Sequence, residues 1–209
     1  MRVVAISDTH TFEDRIAVPD GDVLIHAGDA TISGDYFEVA TFAEWFQSQP
    51  HRHKIFVAGN HDWLFDFSRS PELAEPLITD FGHYLKDSMV EIEGVKFYGS
   101  PWQPRFCDWA FNMDRGAAIR RYWDRIPPCD VLITHGPPWG ILDYVKLGEP
   151  HLGCEELLKA VGRTKPRFHV FGHIHGGYGE WQLNGTRFIN ASICDESYSP
   201  VNHPIVFEI

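Results

Sequence analysis

The sequence predicts an α/β fold with two packed mixed sheets and helices on the outside. Three observations carry that reading. Short β-branched apolar runs recur, each closed by a polar turn; helical segments stand between them; and hairpin signals mix antiparallel pairs into what would otherwise be a parallel sheet. In chain order, Arg2–Ser7 and Val23–Ala27 read as buried strands. Tyr36–Gln49 reads as a helix, with Phe37, Phe42, Trp45 and Phe46 near one face and Pro50 as its stop. Lys54–Ala58 is a strand, and Pro71–Asp80 a weaker helical pattern interrupted at Pro76. Met89–Ile92 and Val95–Tyr98 form a hairpin around Glu93–Gly94. Asp114–Arg125 is a helix ended by Pro127 and Pro128, followed by the strand Val131–Thr134. The helix Gly153–Arg163 leads into the strand Phe168–Phe171. Gly179–Leu183, the turn Asn184–Gly185 and Thr186–Ala191 make a second hairpin, and Ile205–Ile209 one more strand.

The chain has 209 residues and a formal charge of −11. No linker, repeat or low-complexity run divides it, so residues 1–209 read as one domain. A chain of this size buries about 70% of its unfolded surface and needs neither disulfide nor metal merely to hold a core. At 44% hydrophobic and 22% charged it is neither disordered nor fibrous. The acidic balance argues against broad binding to nucleic acid or to anionic membrane, and against a nuclease, since all three want clustered Lys and Arg. A small phosphate substrate stays compatible, because a bound metal dominates its local field. Cys107, Cys129, Cys154 and Cys194 include no Cys-x-x-Cys pair, which favours reduced thiols and a cytoplasmic protein. No run approaches the roughly 20 apolar residues of a membrane span. The Val3–Ile6 run is too short for a signal-peptide core. The 12 histidines are scattered, as a metal site assembled from distant segments requires.

The ends of the strands carry the chemistry. Asp8-Thr9-His10 follows the first strand, Gly28-Asp29 the second and Gly59-Asn60-His61-Asp62 the third; His135-Gly136 follows Val131–Thr134, and Gly172-His173-Ile174-His175 follows Phe168–Phe171. Ligands of α/β sheets bind beyond the carboxyl ends of the strands. Five strand ends that deliver Asp, Asn and His to one edge make a donor set suited to a pair of divalent metals. In Asp8-x-His10, extended backbone would lean both side chains to one side, toward one ion. The same spacing in His173-x-His175 offers one imidazole to each of two ions. Glycines before Asp29, Asn60 and His173 let the chain turn and leave room for an ion and a phosphate. Taken singly, each block reads as an ordinary satisfied turn; it is their order at successive strand ends that carries the inference.

That ordered set resembles the calcineurin-like metallophosphoesterases, over residues 8 to 175. Ser7-Asp8-Thr9-His10, Gly99-Ser100-Pro101-Trp102-Gln103-Pro104, Thr134-His135-Gly136-Pro137-Pro138, Gly172 through Gly179, Phe188-Ile189-Asn190-Ala191-Ser192 and Pro204-Ile205-Val206-Phe207 are similar to the MPPED subgroup. The chain departs from its animal members at Gly176, where an acidic residue is expected, and keeps the last histidine, His175, which some of them lack. The resemblance implies a four-layer sandwich of two mixed β-sheets flanked by α-helices. It also implies roles. Asp8, His10 and His175 would hold one metal, and Asn60, His135 and His173 the other, with Asp29 bridging. His61 would be catalytic, oriented by Asp62.

Nitrogen and oxygen donors without thiolate suit two divalent transition metal ions, Mn, Fe or Zn. Such a pair can clamp the attacking and leaving oxygens of a phosphoryl displacement and make hydroxide available near neutral pH. As imidazolium, His61 could protonate the leaving group. The partner expected is a small-molecule phosphoester. The MPPED resemblance implies a phosphodiesterase, with cyclic nucleotides as candidate substrates. Trp63, Trp139 and Tyr178 adjoin the metal blocks and either stack on a nucleobase or form apolar wall; Arg105 either steadies a phosphate or is solvated. A phosphomonoesterase or protein phosphatase, and a nucleotide-binding protein with little turnover, are the alternatives. Oligomeric state stays open, a homo-oligomer included.

Overall fold

The computed structural model describes residues 1–145 and 151–209. In chain order its elements are β1 (Arg2–Ile6), β2 (Val23–His26), α1 (Tyr36–Ser48), β3 (His53–Phe56), α2 (Pro71–Thr79), β4 (His83–Tyr84), β5 (Ser88–Ile92), β6 (Val95–Ser100), β7 (Gln103–Pro104), β8 (Asn112–Met113), α3 (Ala117–Trp123), β9 (Val131–Thr134), α4 (Glu155–Thr164), β10 (Phe168–Phe171), β11 (Gly179–Leu183), β12 (Thr186–Asn190) and β13 (Ile205–Glu208).

The strands form two mixed sheets. One has the order β13-β1-β2-β3-β4, the other β11-β12-β10-β9-β6-β5, and β7 with β8 makes a short separate pair. β1, β2, β3 and β4 run parallel, with β13 antiparallel against β1. In the second sheet β12, β10, β9 and β6 are parallel, and the hairpin partners β11 and β5 close its edges.

Alternation along the strands explains the layering. Val3, Ala5, Val23, Ile25, Ile55 and Val57 face across to Phe97, Val131, Ile133, Val170 and Ile189, forming a core between the sheets. Their neighbours Val4, Ile6, Leu24 and Phe56, with Leu132, Phe171 and Phe188, face outward to the helices. Both faces of the central strands are therefore apolar, as near-continuous hydrophobic runs require. α1 packs with α2, and α3 with α4. The result is helix, sheet, sheet, helix, as the sequence led us to expect.

Two helices differ from expectation in instructive ways. α1 is capped by Asp35, whose Oδ1 accepts from the backbone N–H groups of Phe37 and Glu38. Its buried face is Val39, Phe42, Ala43 and Phe46, whereas Phe37 lies 79% exposed. α3 is shorter than Asp114–Arg125, because Gly116 precedes it at φ 78°, outside the helical region. Among the described residues no helix is long and apolar enough to cross a membrane. All four cysteines are free thiols, Cys154 and Cys194 buried and Cys107 exposed.

Candidate metal centre

The five strand ends converge in one place. Asp8, His10, Asp29 and Asn60 come from beyond β1, β2 and β3 of one sheet; His135, His173 and His175 come from beyond β9 and β10 of the other. Asp8, His10 and His175 bring donor atoms within 4.8 Å of one another, and so do Asp29, His135 and His173. His10, Asp29 and His61 form a third such group, which overlaps the first two. The contacts are close: His10 Nε2 to His175 Nε2 is 3.4 Å, His175 Nε2 to Asp8 Oδ1 3.4 Å, and His135 Nε2 to Asn60 Oδ1 2.9 Å. Donors about 2.1 Å from a shared ion stand at such separations from each other. Asp29 Oδ2 lies 3.3 Å from His135 Nε2 and 3.9 Å from His10 Nε2, between the two sets.

The surrounding hydrogen bonds aim these atoms. His10 Nδ1 donates to the Thr31 carbonyl (3.0 Å), His135 Nδ1 to Ala27 (2.9 Å) and His175 Nδ1 to Asp195 (2.8 Å). Each bond fixes the tautomer, so that the neutral ring turns its Nε2 lone pair toward the centre. The Asp8 carboxylate accepts from the His173 N–H (3.0 Å) and lies 2.8 Å from Ser192 Oγ. Asp29 Oδ1 accepts from the His61 N–H, so its other oxygen is the one presented inward.

Backbone geometry differs from the extended form we expected for Asp8-x-His10. Asp8, His10, Asp29 and His173 all have positive φ, at 53°, 44°, 56° and 66°. The chain turns sharply in the left-handed region as soon as each strand stops, at a cost of order 1–3 kcal/mol per residue, and it is this turn that pairs the side chains. The three glycines serve two needs. Gly28 has φ +103° and is needed for its conformation. Gly59 and Gly172 are needed for space: a Cβ at Gly59 would stand 2.3 Å from Asp29 Oδ1, and one at Gly172 2.0 Å from Asp8 Oδ2.

The electrostatics follow from burial among opposed charges. Burial alone would raise the Asp8 carboxyl, but its hydrogen bond to His175 and the charges of His175 and His135 hold it below the usual range. Asp29 is likewise pushed up by burial and brought well below its ordinary value by His135, His61 and His10. Burial disfavours charge on His135 and His175, yet Asp29 and Asp8 outweigh it and set each at about 9. Burial keeps His10 below its ordinary value and takes His173 down to about 3.

Asp62 does not touch the His61 ring. Its Oδ2 accepts from the backbone N–H groups of Asp29 (2.9 Å) and Gly59 (2.7 Å), and its Oδ1 accepts from Thr31 N–H and Oγ1. It therefore shapes the loops that carry Asp29 and Asn60. The atom that orients His61 is the Ile32 carbonyl, which accepts from Nδ1 at 2.7 Å. Burial, with the charge of Asp29, raises the Asp62 carboxyl to about 6.

The donors open into a cleft of about 500 Å³ whose walls include Phe106, Trp109, Leu152, Ile174 and Tyr198. None of the aromatics expected there lines it. Trp63 packs on the outer core under Arg69, Trp139 stands against His151, and the Tyr178 hydroxyl donates to the His203 carbonyl. Sequence reasoning passed over Trp109 and Tyr198 because they come from loops rather than strand ends. Arg105 pairs with Asp114 at 2.7 Å. A larger groove, about 630 Å³, runs between α4 and the β11–β12 hairpin but contains none of the donor residues.

Fold and donor set together define a class, the metal-dependent phosphoesterases. A family model described as calcineurin-like phosphoesterase matches residues 1–177, and the chain belongs to that family. Its curated relatives include proteins of the MPPED type. Metallophosphoesterase domain-containing protein 1 of Homo sapiens is 45% identical over 230 residues, covering 100% of this chain and 71% of its own length. A UPF0046 protein of Caenorhabditis elegans is 40% identical over 221 residues, covering 100% of this chain and 75% of its own. Among solved structures, TT1561 of Thermus thermophilus has a TM-score of 0.57 at 12% identity, covering 90% of this chain and 88% of that one, which shows the shared fold alone. The family is dimetal-dependent, and the donor groups here fit such a pair.

Proposed function

We propose that the chain is a dimetal phosphodiesterase for small organic diesters, cyclic nucleotides among them. The observation that carries this is the cleft itself: among its described lining residues there is no Lys or Arg, while its walls are largely aromatic and aliphatic. A monoester dianion wants cations beyond the metals, typically a guanidinium. A diester carries one negative charge and two organic groups, which apolar walls accept. Arg105 and Arg115, which line an adjoining pocket with Phe106 and His173, are each paired to a carboxylate at 2.7 Å, with Asp114 and Glu155.

Asp8, His10 and His175 would hold one ion, Asn60, His135 and His173 the other, and Asp29 would bridge them. Nitrogen and oxygen donors select Mn, Fe or Zn. When bound, the ions activate a water and neutralise charge on the phosphate oxygens. The chain supplies the rest. Tethering of His61 Nδ1 to the Ile32 carbonyl leaves Nε2 to carry a proton to the leaving oxygen. The rings of Phe106 and Tyr198 suit a planar substituent such as a base. The four free thiols support a reducing, cytoplasmic setting.

The test compares bis-p-nitrophenyl phosphate with p-nitrophenyl phosphate, using chelator-stripped protein with Mn²⁺ restored and Asp29→Ala as control. Preferential diester cleavage that needs both metal and Asp29 supports the proposal. Preferential monoester cleavage makes the protein a phosphatase. His61→Ala should retain metal and lose about 10²–10⁴-fold in turnover on a diester with a poor leaving group such as phenoxide; full activity there would remove His61 from the chemistry.

A further inference from the structure

His61 is held at more points than a proton donor needs merely to be present. Its Nδ1 donates to the Ile32 carbonyl and its backbone N–H to Asp29 Oδ1, while the His10 ring stands edge-on at 4.8 Å. Those contacts fix one ring atom and the main chain. Small rotations about Cα–Cβ and Cβ–Cγ, which stretch the Nδ1 bond to the Ile32 carbonyl, would still carry Nε2 away from the cleft. Trp109 stands against the ring and restricts them. Its ring centroid lies 4.1 Å from that of His61 with the planes 34° apart, so the indole covers the imidazole face. Trp63 follows on at 6.4 Å.

Trp109 is itself anchored to the loop it serves. It sits between β7 and β8, where the Asn112 amide donates to the Phe106 and Cys107 carbonyls and accepts from the Phe106 N–H. The N–H of the following residue, Ala110, donates to the carbonyl of Asn60, the neighbour of His61. Phe111 N–H donates to Asp66 Oδ2, just beyond the same loop. A shift of Asn60 and His61 therefore moves Trp109 with them, and the stacking geometry is kept.

We propose that Trp109 is the positioning residue of His61, keeping Nε2 in line with the leaving oxygen. This rests on the reading of His61 as proton donor. In the step served, a water oxygen that has given one proton to solvent forms the new bond to phosphorus, and the phosphorus–oxygen bond to the leaving group breaks with its electron pair on oxygen. The proton passes from His61 Nε2 to that oxygen, and His61 regains one from solvent.

A proton donor matters most when the leaving group is poor, and that gives a signature which a loss of packing would not imitate. The substrates are aryl phosphodiesters graded from p-nitrophenyl to phenyl, on Mn²⁺-loaded protein. Trp109→Ala should lose about 10²-fold in kcat on the phenyl diester, the scale of a misplaced catalytic group, and little on the p-nitrophenyl diester, with KM and bound metal unchanged. His61→Ala should show the same slope, and the double variant should lose no more than His61→Ala alone. Trp109→Phe should restore most of the loss, whereas Trp109→Leu, which keeps bulk without a flat face, should not. In the metal-free protein, the His61 ring C–H resonances should sit upfield under the indole ring current and move downfield in Trp109→Leu. Equal loss on every diester, a change confined to KM, or an unmoved His61 resonance would overturn the proposal. If His61→Ala follows the leaving group and Trp109→Leu does not, this inference alone falls. If the wild-type protein cleaves no diester, the reading of the site falls and takes this inference with it.

Discussion

Loading the metal-free protein with Mn²⁺ at neutral pH should expel protons. His135 Nε2 lies 3.3 Å from Asp29 Oδ2, and His175 Nε2 lies 3.4 Å from Asp8 Oδ1. Burial works against the imidazolium in both, but the facing carboxylates prevail and place each at about 9. His10 and His173 are held low by burial and are already neutral. Each proposed donor set thus contains one histidine whose proton must leave before a metal can bind. With ~1.36 kcal/mol per pH unit, removing a proton held at about 9 costs roughly 3 kcal/mol at pH 7. Apparent affinity should therefore rise roughly tenfold per pH unit for each ion between pH 7 and 9. The sign for folding is opposite. A raised histidine stabilises the metal-free fold fully below about 6.5, and that contribution is lost as pH climbs through 9. Titration calorimetry in buffers of different ionisation enthalpy reads the protons directly, as the slope of observed heat against buffer enthalpy. About two protons should be released for the pair of ions at pH 7, and about one at pH 9. A zero slope at pH 7 would mean that both histidines are neutral without metal, and the ion-pair account of the centre would be wrong.

Three further outcomes are expected. Gly172→Ala should keep the fold, measured by circular dichroism, but lose metal by elemental analysis, since the added Cβ would stand 2.0 Å from Asp8 Oδ2; retained stoichiometric metal would refute the steric reading. Glu13 is buried beneath Thr9, and burial raises its carboxyl to about 7. Its protonated form therefore stabilises the fold below about 4.5, and this is lost as pH rises through 7. Glu13→Gln should accordingly gain roughly 3 kcal/mol over wild type at pH 8.5 and nearly nothing at pH 4.5 in urea titrations; an equal change at both pH values would count against it. Phe56→Ala opens the outer core among Phe42, Phe65 and Tyr84 and should cost about 3–5 kcal/mol; a urea midpoint within error of wild type would show that the site collapses freely.

Much of this molecule is legible in the chain because the strongest signals coincide. An apolar run buried on both faces must stop where the sheet stops, and the donors stand immediately after, so Asp8, Asp29, Asn60, His135 and His173 are found by looking at strand ends. What is not legible is set by partners distant in sequence. β4, β7 and β8 are two residues long and exist only through pairing, too short for any period to show. The orienting partner of His61 is a backbone carbonyl at Ile32, and a carbonyl leaves no trace in residue type. Trp109 and Tyr198 are carried by loops whose path follows from hydrogen bonds to Asn112 and Asp195. Phe37 lies off the face that apolar spacing groups with Phe42 and Phe46, because the helix buries Val39 and Ala43 beside those two.

The donors divide between the two sheets, and this makes the centre a gauge of how those sheets are aligned. Sliding one sheet past the other by a single residue is a movement of about 3.3 Å. A coordination bond tolerates about 0.2 Å. The ions would thus register misalignment more than ten times finer than any register slip, wherever in the sandwich it arises. The layer that sets the alignment is the apolar one between the sheets, where Val3, Ala5 and Ile25 meet Val131, Ile133 and Val170. A methyl group added or removed there touches no donor and leaves the fold standing, yet shifts one half of the centre against the other. In this architecture the interior far from the cleft sets the spacing of the donors that would hold the ions.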